Sequence, residues 1–236
     1  GVFWALASYG AVLLVLILLL IVETRPPGER TAGGLAPLRA AYRRVLGDRV
    51  FVGIWLTASC CFAGLFSYIS TSSLLLQETF GLRETEFGVV FAICSTGVFA
   101  GVQLGSRLSA HLGPQKVLVV GTAGMIAAAS SLLGLDAMRA GHIPLIPAMF
   151  AYTLAFGACN PAAQVLALQN HRKDSGVAAS LMGALNMTLA AVVGPVIGQF
   201  ELTSAAPMAI AMLCCATAAA LFLWLIARPR RIEFTL

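Results

Sequence analysis

Residues 2–22 read VFWALASYGAVLLVLILLLIV and decide the class of fold. This stretch contains no charged residue, and from Leu13 to Leu20 it is apolar on every face of a helix. The hydrocarbon core of a bilayer is about 30 Å thick, and about 20 apolar residues in a helix cross it. The stretch is too long for a secretory signal peptide and lacks the basic start of one. It therefore predicts a transmembrane helix.

Six more apolar stretches of similar length follow along the chain. They are residues 51–77, 87–108, 117–135, 143–168, 177–199 and 206–227. The alternating pattern of a membrane β-barrel is absent from them, and in lipid only helices and closed barrels satisfy their own backbone hydrogen bonds. The sequence therefore predicts an all-α polytopic membrane protein with seven transmembrane helices.

The composition supports this class of protein. Of the 236 residues, 59% are hydrophobic and only 11% are charged, whereas a soluble domain carries about 25% charged residues. These proportions exclude a soluble globular protein, a soluble enzyme and a disordered chain. The net charge of +5 is better explained by membrane topology than by binding of nucleic acid, so we expect membrane lipid as a partner and no nucleic acid.

The basic residues alternate between the two sides of the predicted membrane. The first, third and fifth connections and the C-terminal tail hold 13 of the 15 lysines and arginines, and only Arg83 and Arg139 lie in the other connections. Because positive loops stay in the cytoplasm, this split predicts that residue 1 lies outside and that the C-terminus is cytoplasmic.

The connection over residues 23–49 is longer than the others. It opens with the turn sequence Arg25-Pro26-Pro27-Gly28 and continues as an amphipathic segment suited to an anionic inner leaflet. We therefore predict three parts: the last helix of an N-terminal bundle at 1–22, a cytoplasmic linker at 23–49, and a six-helix bundle with a short tail at 50–236. The start at Gly1, directly before a span, indicates a fragment or processed product whose N-terminal bundle is missing.

Several local stretches match one transporter family in order and spacing. They are Tyr68-Ile69-Ser70, Leu76-Gln77, Phe80-Gly81-Leu82, Phe87-Gly88, Gly101 with Gln103, Leu104, Arg107 and Leu108, Gly113-Pro114 with Leu118, Pro161 with Ala167 and Leu168, and Gly176 with Ala178, Ser180, Leu181, Gly183, Ala184 and Leu185. With these residues the chain resembles the major facilitator superfamily, specifically its bicyclomycin/chloramphenicol-resistance (Bcr/CflA) drug efflux branch. The resemblance covers helices 6–12 of a 12-helix transporter.

This resemblance implies a function. It implies the C-terminal part of a secondary active multidrug efflux transporter, with drug/proton antiport by alternating access, in the bacterial inner membrane. The expected substrate is a small amphipathic drug-like molecule. No enzyme activity, cofactor or metal is expected.

Polar residues inside spans are costly and need a reason. The substrate-binding candidates are Tyr68, Ser70, Tyr152, Asn160 and Asn186. Asn160 with Pro161 is predicted to interrupt the fifth span and free backbone carbonyls, while Asn186 lies beside two methionines that suit varied apolar ligands. Hydrogen bonding between helices is the alternative role for these residues.

Further residues are candidates for gating or structural roles. They are Gln103, Arg107, Gly113, Pro161, Gly194, Pro195 and Gly198. Arg107 and Gly113 lie in a loop that, in the superfamily, helps to hold a conformational state; a basic membrane anchor is the alternative for Arg107. The Gly194–Gly198 stretch resembles a helix-kinking transporter motif, and ordinary small-residue packing is its alternative.

The acidic residues of this chain lie at different positions from those that a proton-coupled antiporter needs. No acidic residue lies at the middle of a span, so a coupling carboxylate is expected in the missing N-terminal half. The six cysteines fall inside spans and are interpreted as packing residues, and the three histidines as solvated loop residues.

Two other functions compete with transport. A truncated, inactive transporter remnant or a membrane scaffold stays open, because half of a binding site cannot alternate its access. A seven-helix receptor or photoreceptor is disfavoured. A retinal Schiff base needs a lysine in a span, and the only lysines, Lys116 and Lys173, lie at loops; the Asn-Pro pair lies in the fifth span and not the last, and no Asp-Arg-Tyr triplet follows the third.

Overall fold

The computed structural model describes residues 1–20, 34–200 and 204–228, and all the regular structure in these ranges is helical. Eight α-helices occur there: α1 Val2–Leu20, α2 Leu35–Gly47, α3 Arg49–Ser73, α4 Glu84–Leu112, α5 Pro114–Ala137, α6 Leu145–Leu168, α7 Ser175–Ile197 and α8 Ala206–Phe222. A π-helical turn, Leu74–Thr79, extends α3, another, Leu223–Ala227, extends α8, and a 3-10 turn, Arg172–Asp174, precedes α7.

Seven of these helices, all except α2, are long and apolar enough to cross a membrane. This confirms the predicted all-α fold with seven transmembrane helices. The described ends differ from the predicted ones by up to four residues. Most helices continue into polar residues that apolar composition alone does not count as membrane-embedded, whereas α6 begins two residues later and α7 ends two residues earlier than predicted. The predicted turn at residues 25–28 and most of the C-terminal tail lie outside the described residues.

The chain divides into two compact units, Gly1–Ala40 and Ala41–Leu236. The first unit contains α1, which has no buried residue, and the beginning of α2. The second contains the rest of α2, where Ala41 and Val45 are buried, and all of α3–α8. The predicted three-part division of the chain stays a prediction.

Local residue chemistry sets the helix ends. Asp48 has an extended backbone, and its Oδ1 accepts a hydrogen bond from the Val50 amide at 2.8 Å, which caps the start of α3. Gly113, with φ of +85°, separates α4 from α5, and Pro114 occupies the first position of α5. Glycine tolerates this φ and proline suits a helix start, so the break falls here.

Within the second unit, α6 packs against α4 and α5, and α3 packs against α6, α7 and α8. The α4–α6 contact is close because both helices present small residues. A Cβ added at Gly101 would overlap the Leu154 carbonyl, and one added at Gly157 would overlap the Val98 carbonyl. Such small-residue faces let helix backbones approach each other in a membrane.

Candidate functional site

Three helices, α3, α6 and α7, line a small, open cavity of about 30 Å³. One residue of α5, Leu118, completes the wall. The remaining lining residues are Ala58, Cys61, Phe62, Phe156, Cys159, Asn160, Ala163, Gln164, Met182 and Asn186. The wall is therefore apolar, aromatic and sulfur-bearing, and its polar groups are three side-chain amides.

The α6 wall carries two of the amides, one helical turn apart. Gln164 Nε2 donates to Asn160 Oδ1 at 2.7 Å. α6 runs through Pro161 without a break, so the predicted interruption of this helix is wrong. Pro161 has no N–H to donate one turn back to the Gly157 carbonyl, yet the residues on both sides of it stay helical.

The α7 wall carries the third amide. Ser59 Oγ in α3 donates to Asn186 Oδ1 at 2.8 Å, and one turn earlier Trp55 Nε1 donates to the Leu181 carbonyl at 2.8 Å. Met182 is buried beside the cavity, whereas Met187 is 61% exposed and is not among the lining residues. Two of the five predicted binding residues, Asn160 and Asn186, thus line this cavity on different helices.

The other three predicted binding residues lie away from this cavity. Tyr152 is fully buried, with its hydroxyl 3.4 Å from the Met212 carbonyl and packed against Gly64. Tyr68 is buried, and its ring stacks on Phe91 with centroids 6.1 Å apart. The tyrosines fill helix interfaces of the bundle.

Ser70 is exposed near the far end of α3, opposite the end that carries α2. Its Oγ lies 3.9 Å from the point where a Cβ of Gly194 would stand. The predicted small-residue stretch of α7 therefore approaches α3 closely at Gly194. Pro195 and Gly198 are exposed, and α7 ends between them at Ile197.

Gln103 and Arg107 are both exposed on α4. Within the described ranges neither makes an ion pair or a side-chain hydrogen bond. Gly113 forms the α4–α5 break. None of the predicted α4 residues therefore lines the cavity.

Two side-chain bridges join α2 and the start of α3 to the α6–α7 connection. Arg44 donates to both Asp174 oxygens, at 3.0 and 3.1 Å. His171 Nε2 lies 2.9 Å from Asp48 Oδ2, and the His171 ring meets Phe51 edge-on. The His171 side chain is only 10% exposed, so its interpretation as a solvated residue is wrong; packing on Phe51 and the Asp48 carboxylate draw it inward.

The Arg44 guanidinium, hydrogen-bonded to Asp174, holds the pKa of that carboxyl below its ordinary 3.8. A lowered acid pKa in the folded state means that the pairing is fully present above about pH 4. It is lost as the pH falls through the lowered value. This bridge is therefore intact at neutral pH.

Sequence reasoning missed Ser59. A serine in an apolar helix is typical of simple packing, and only its contact with Asn186 across the helix interface distinguishes it. Gln164 is polar and one turn from Asn160, which is the spacing that places two side chains on one helix face. Cys61 and Cys159, interpreted as packing residues, are buried and reduced and also line the cavity.

Membrane-spanning helices that line an apolar cavity with three amide side chains define an integral membrane protein of the helical-bundle class. The chain belongs to the Major Facilitator Superfamily, whose family model matches residues 1–195. Members of this family are transporters and not enzymes. The resemblance found in the sequence is thereby confirmed for the superfamily.

Three relatives illustrate the similarity. "Uncharacterized MFS-type transporter YdgK" of Bacillus subtilis (strain 168) is 26% identical over 88% of this chain and 51% of its own length. The "Bicyclomycin resistance protein homolog" of Haemophilus influenzae is 22% identical over 91% and 54%. "Multidrug resistance protein MdtL" of Escherichia fergusonii is 27% identical over 82% and 49%.

The chain therefore spans about half the length of the curated relatives it matches. No solved structure gave a significant match.

Proposed function

We propose that this chain is the C-terminal part of a secondary multidrug efflux transporter of the bicyclomycin/chloramphenicol-resistance branch. The protein exchanges a small amphipathic drug for protons by alternating access in the bacterial inner membrane. The observation that carries the proposal is the amide-bearing cavity between α3, α6 and α7. The drug-resistance names of two relatives support it.

The cavity has the composition of a drug site. Phe62, Phe156 and Met182 offer apolar and adaptable surface, and Asn160 and Asn186 offer directional contacts. Amide side chains inside membrane-spanning helices are costly unless something uses them. In repeat-built transporters substrate sites lie between the two halves of the protein, and we assign this cavity to the second half.

The basic loops support an orientation with residue 1 outside and the C-terminus in the cytoplasm. Proton coupling requires a group that changes charge within the membrane. In the spans the structure describes, the carboxylates Glu78, Glu84, Glu86 and Asp136 all lie near helix ends. We therefore assign the coupling carboxylate to an N-terminal half.

Transport by the complete native protein tests this proposal. Cells that produce it should accumulate less chloramphenicol than cells without it, and a protonophore should abolish the difference. The double substitution Asn160→Ala with Asn186→Ala removes two of the three cavity amides and should restore accumulation, because the walls lose most of their directional contacts. Asn170→Ala, at an exposed asparagine outside this cavity, is the matched control and should keep export.

Equal accumulation with and without the native protein would contradict the efflux assignment. Export that continues in the presence of the protonophore would contradict only the proton coupling and would leave the efflux assignment standing.

A further inference from the structure

The side-chain carbonyl oxygens of the two cavity asparagines accept hydrogen bonds from neighbouring side chains. Asn186 Oδ1 accepts from Ser59 Oγ at 2.8 Å, and Asn160 Oδ1 accepts from Gln164 Nε2 at 2.7 Å. An amide has one carbonyl oxygen and one NH₂ group. In both residues the carbonyl oxygen is therefore engaged by a donor of the protein.

The NH₂ groups are in the opposite situation. Among the described residues, neither Asn160 Nδ2 nor Asn186 Nδ2 has a hydrogen-bond partner, and both residues line the cavity. Asn160 and Asn186 are only partly buried, so both NH₂ groups remain free to donate. A molecule that enters the cavity with a hydrogen-bond acceptor can accept from them.

We propose that the cavity is a hydrogen-bond donor site that selects substrates by an acceptor group such as a carbonyl, ether or nitro oxygen. Ser59 and Gln164 are the positioning residues that set this polarity. The inference rests on the proposed function and names its substrate class. The lining contains no charged side chain, so the part of the substrate that enters is uncharged.

Ser59 is suited to this role by its burial. It is fully buried in α3, so its hydroxyl has no water to bond and its donation to Asn186 is not in competition with solvent. Without that hydroxyl the Asn186 amide is free to turn, and its carbonyl oxygen then faces the substrate's acceptor. Two acceptors in contact repel each other, so affinity falls.

The test measures transport kinetics of chloramphenicol, whose amide and nitro oxygens are acceptors, by the complete native protein in membrane vesicles. Ser59→Ala should raise KM up to about tenfold, the upper end of the net effect of one hydrogen bond, and leave the maximal rate unchanged. Asn186→Asp, which replaces the NH₂ donor by an acceptor, should raise KM at least as much.

Ser67→Ala is the matched control. Ser67 is equally buried in the same helix, but its hydroxyl donates at 2.9 Å to the Ala63 carbonyl of α3 and does not line the cavity. This variant should keep the wild-type KM. A purely structural role for Ser59 would lower the amount of protein and the maximal rate, not raise KM.

Unchanged KM in Ser59→Ala and Asn186→Asp, with transport intact, overturns the donor-site inference and leaves drug efflux standing. A native protein that transports no chloramphenicol overturns the efflux assignment, and this inference with it.

Discussion

At the scale of single residues, glycines decide how closely the helices approach. Gly101 of α4 faces the Leu154 carbonyl and the backbone of Gly157 in α6, whereas Gly88 of the same helix has open space around it. The same residue type therefore has different roles about three and a half turns apart in one helix. Only the position relative to the neighbouring helix distinguishes them.

Gly101→Ala should therefore destabilise the bundle. The added methyl group overlaps backbone that cannot rotate away, and overpacking of this kind costs about 1–3 kcal/mol. Gly88→Ala, the matched control in the same helix, should leave stability unchanged or raise it slightly, since alanine favours a helix. Unfolding midpoints in detergent measure both variants, and equal midpoints would contradict the close α4–α6 contact.

At the scale of secondary-structure elements, the side chain of Asp48 contacts two parts of the fold at once. Its Oδ1 caps α3 and its Oδ2 meets His171 in the α6–α7 connection. Together with the Arg44–Asp174 bridge, it joins α2 and the start of α3 to the connection between the two helices that carry Asn160 and Asn186. One end of the cavity-lining helices is thus held together by side chains.

Two substitutions separate the functions of Asp48. Asp48→Asn keeps a capping oxygen but loses the charge that faces His171, and Asp48→Ala loses both contacts. We expect Asp48→Ala to cost about 1–2 kcal/mol and Asp48→Asn to cost clearly less, as measured by unfolding of the purified protein. If the two variants unfold together, the cap contributes nothing and the carboxylate acts only through its charge.

At the scale of the whole molecule, the charge distribution predicts an orientation. Ala140, in the α5–α6 connection, and Lys173, in the α6–α7 connection, are both exposed and belong to connections predicted on opposite sides of the membrane. In a background without the six native cysteines, Ala140→Cys should react with an impermeant maleimide in intact cells. Lys173→Cys should react only after the membrane is opened.

The reverse labelling pattern would invert the predicted topology. Labelling of both positions in intact cells would mean that the two connections lie on the same side of the membrane. In that case α6, which lies between them, would not cross it.

The sequence by itself determined the class of fold and the number of spans. Lipid offers no hydrogen bonds to a backbone, so about 20 apolar residues in a row specify a spanning helix without reference to any neighbour. The family could also be recognised from the sequence, because short motifs such as Gly113-Pro114 occur in the expected order and spacing. Asn160 and Asn186 were recognisable because amides are rare inside spans.

Only the tertiary structure decided which polar residues meet. Tyr152 and Asn160 share one helix, yet packing places the tyrosine among helices and the asparagine on the cavity wall. The hydroxyl of Ser59 contacts Asn186 of α7, and His171 contacts Asp48, in each case across more than 100 residues of chain. Composition and spacing describe one helix at a time, whereas a site in a membrane bundle is made by the faces that neighbouring helices turn toward each other.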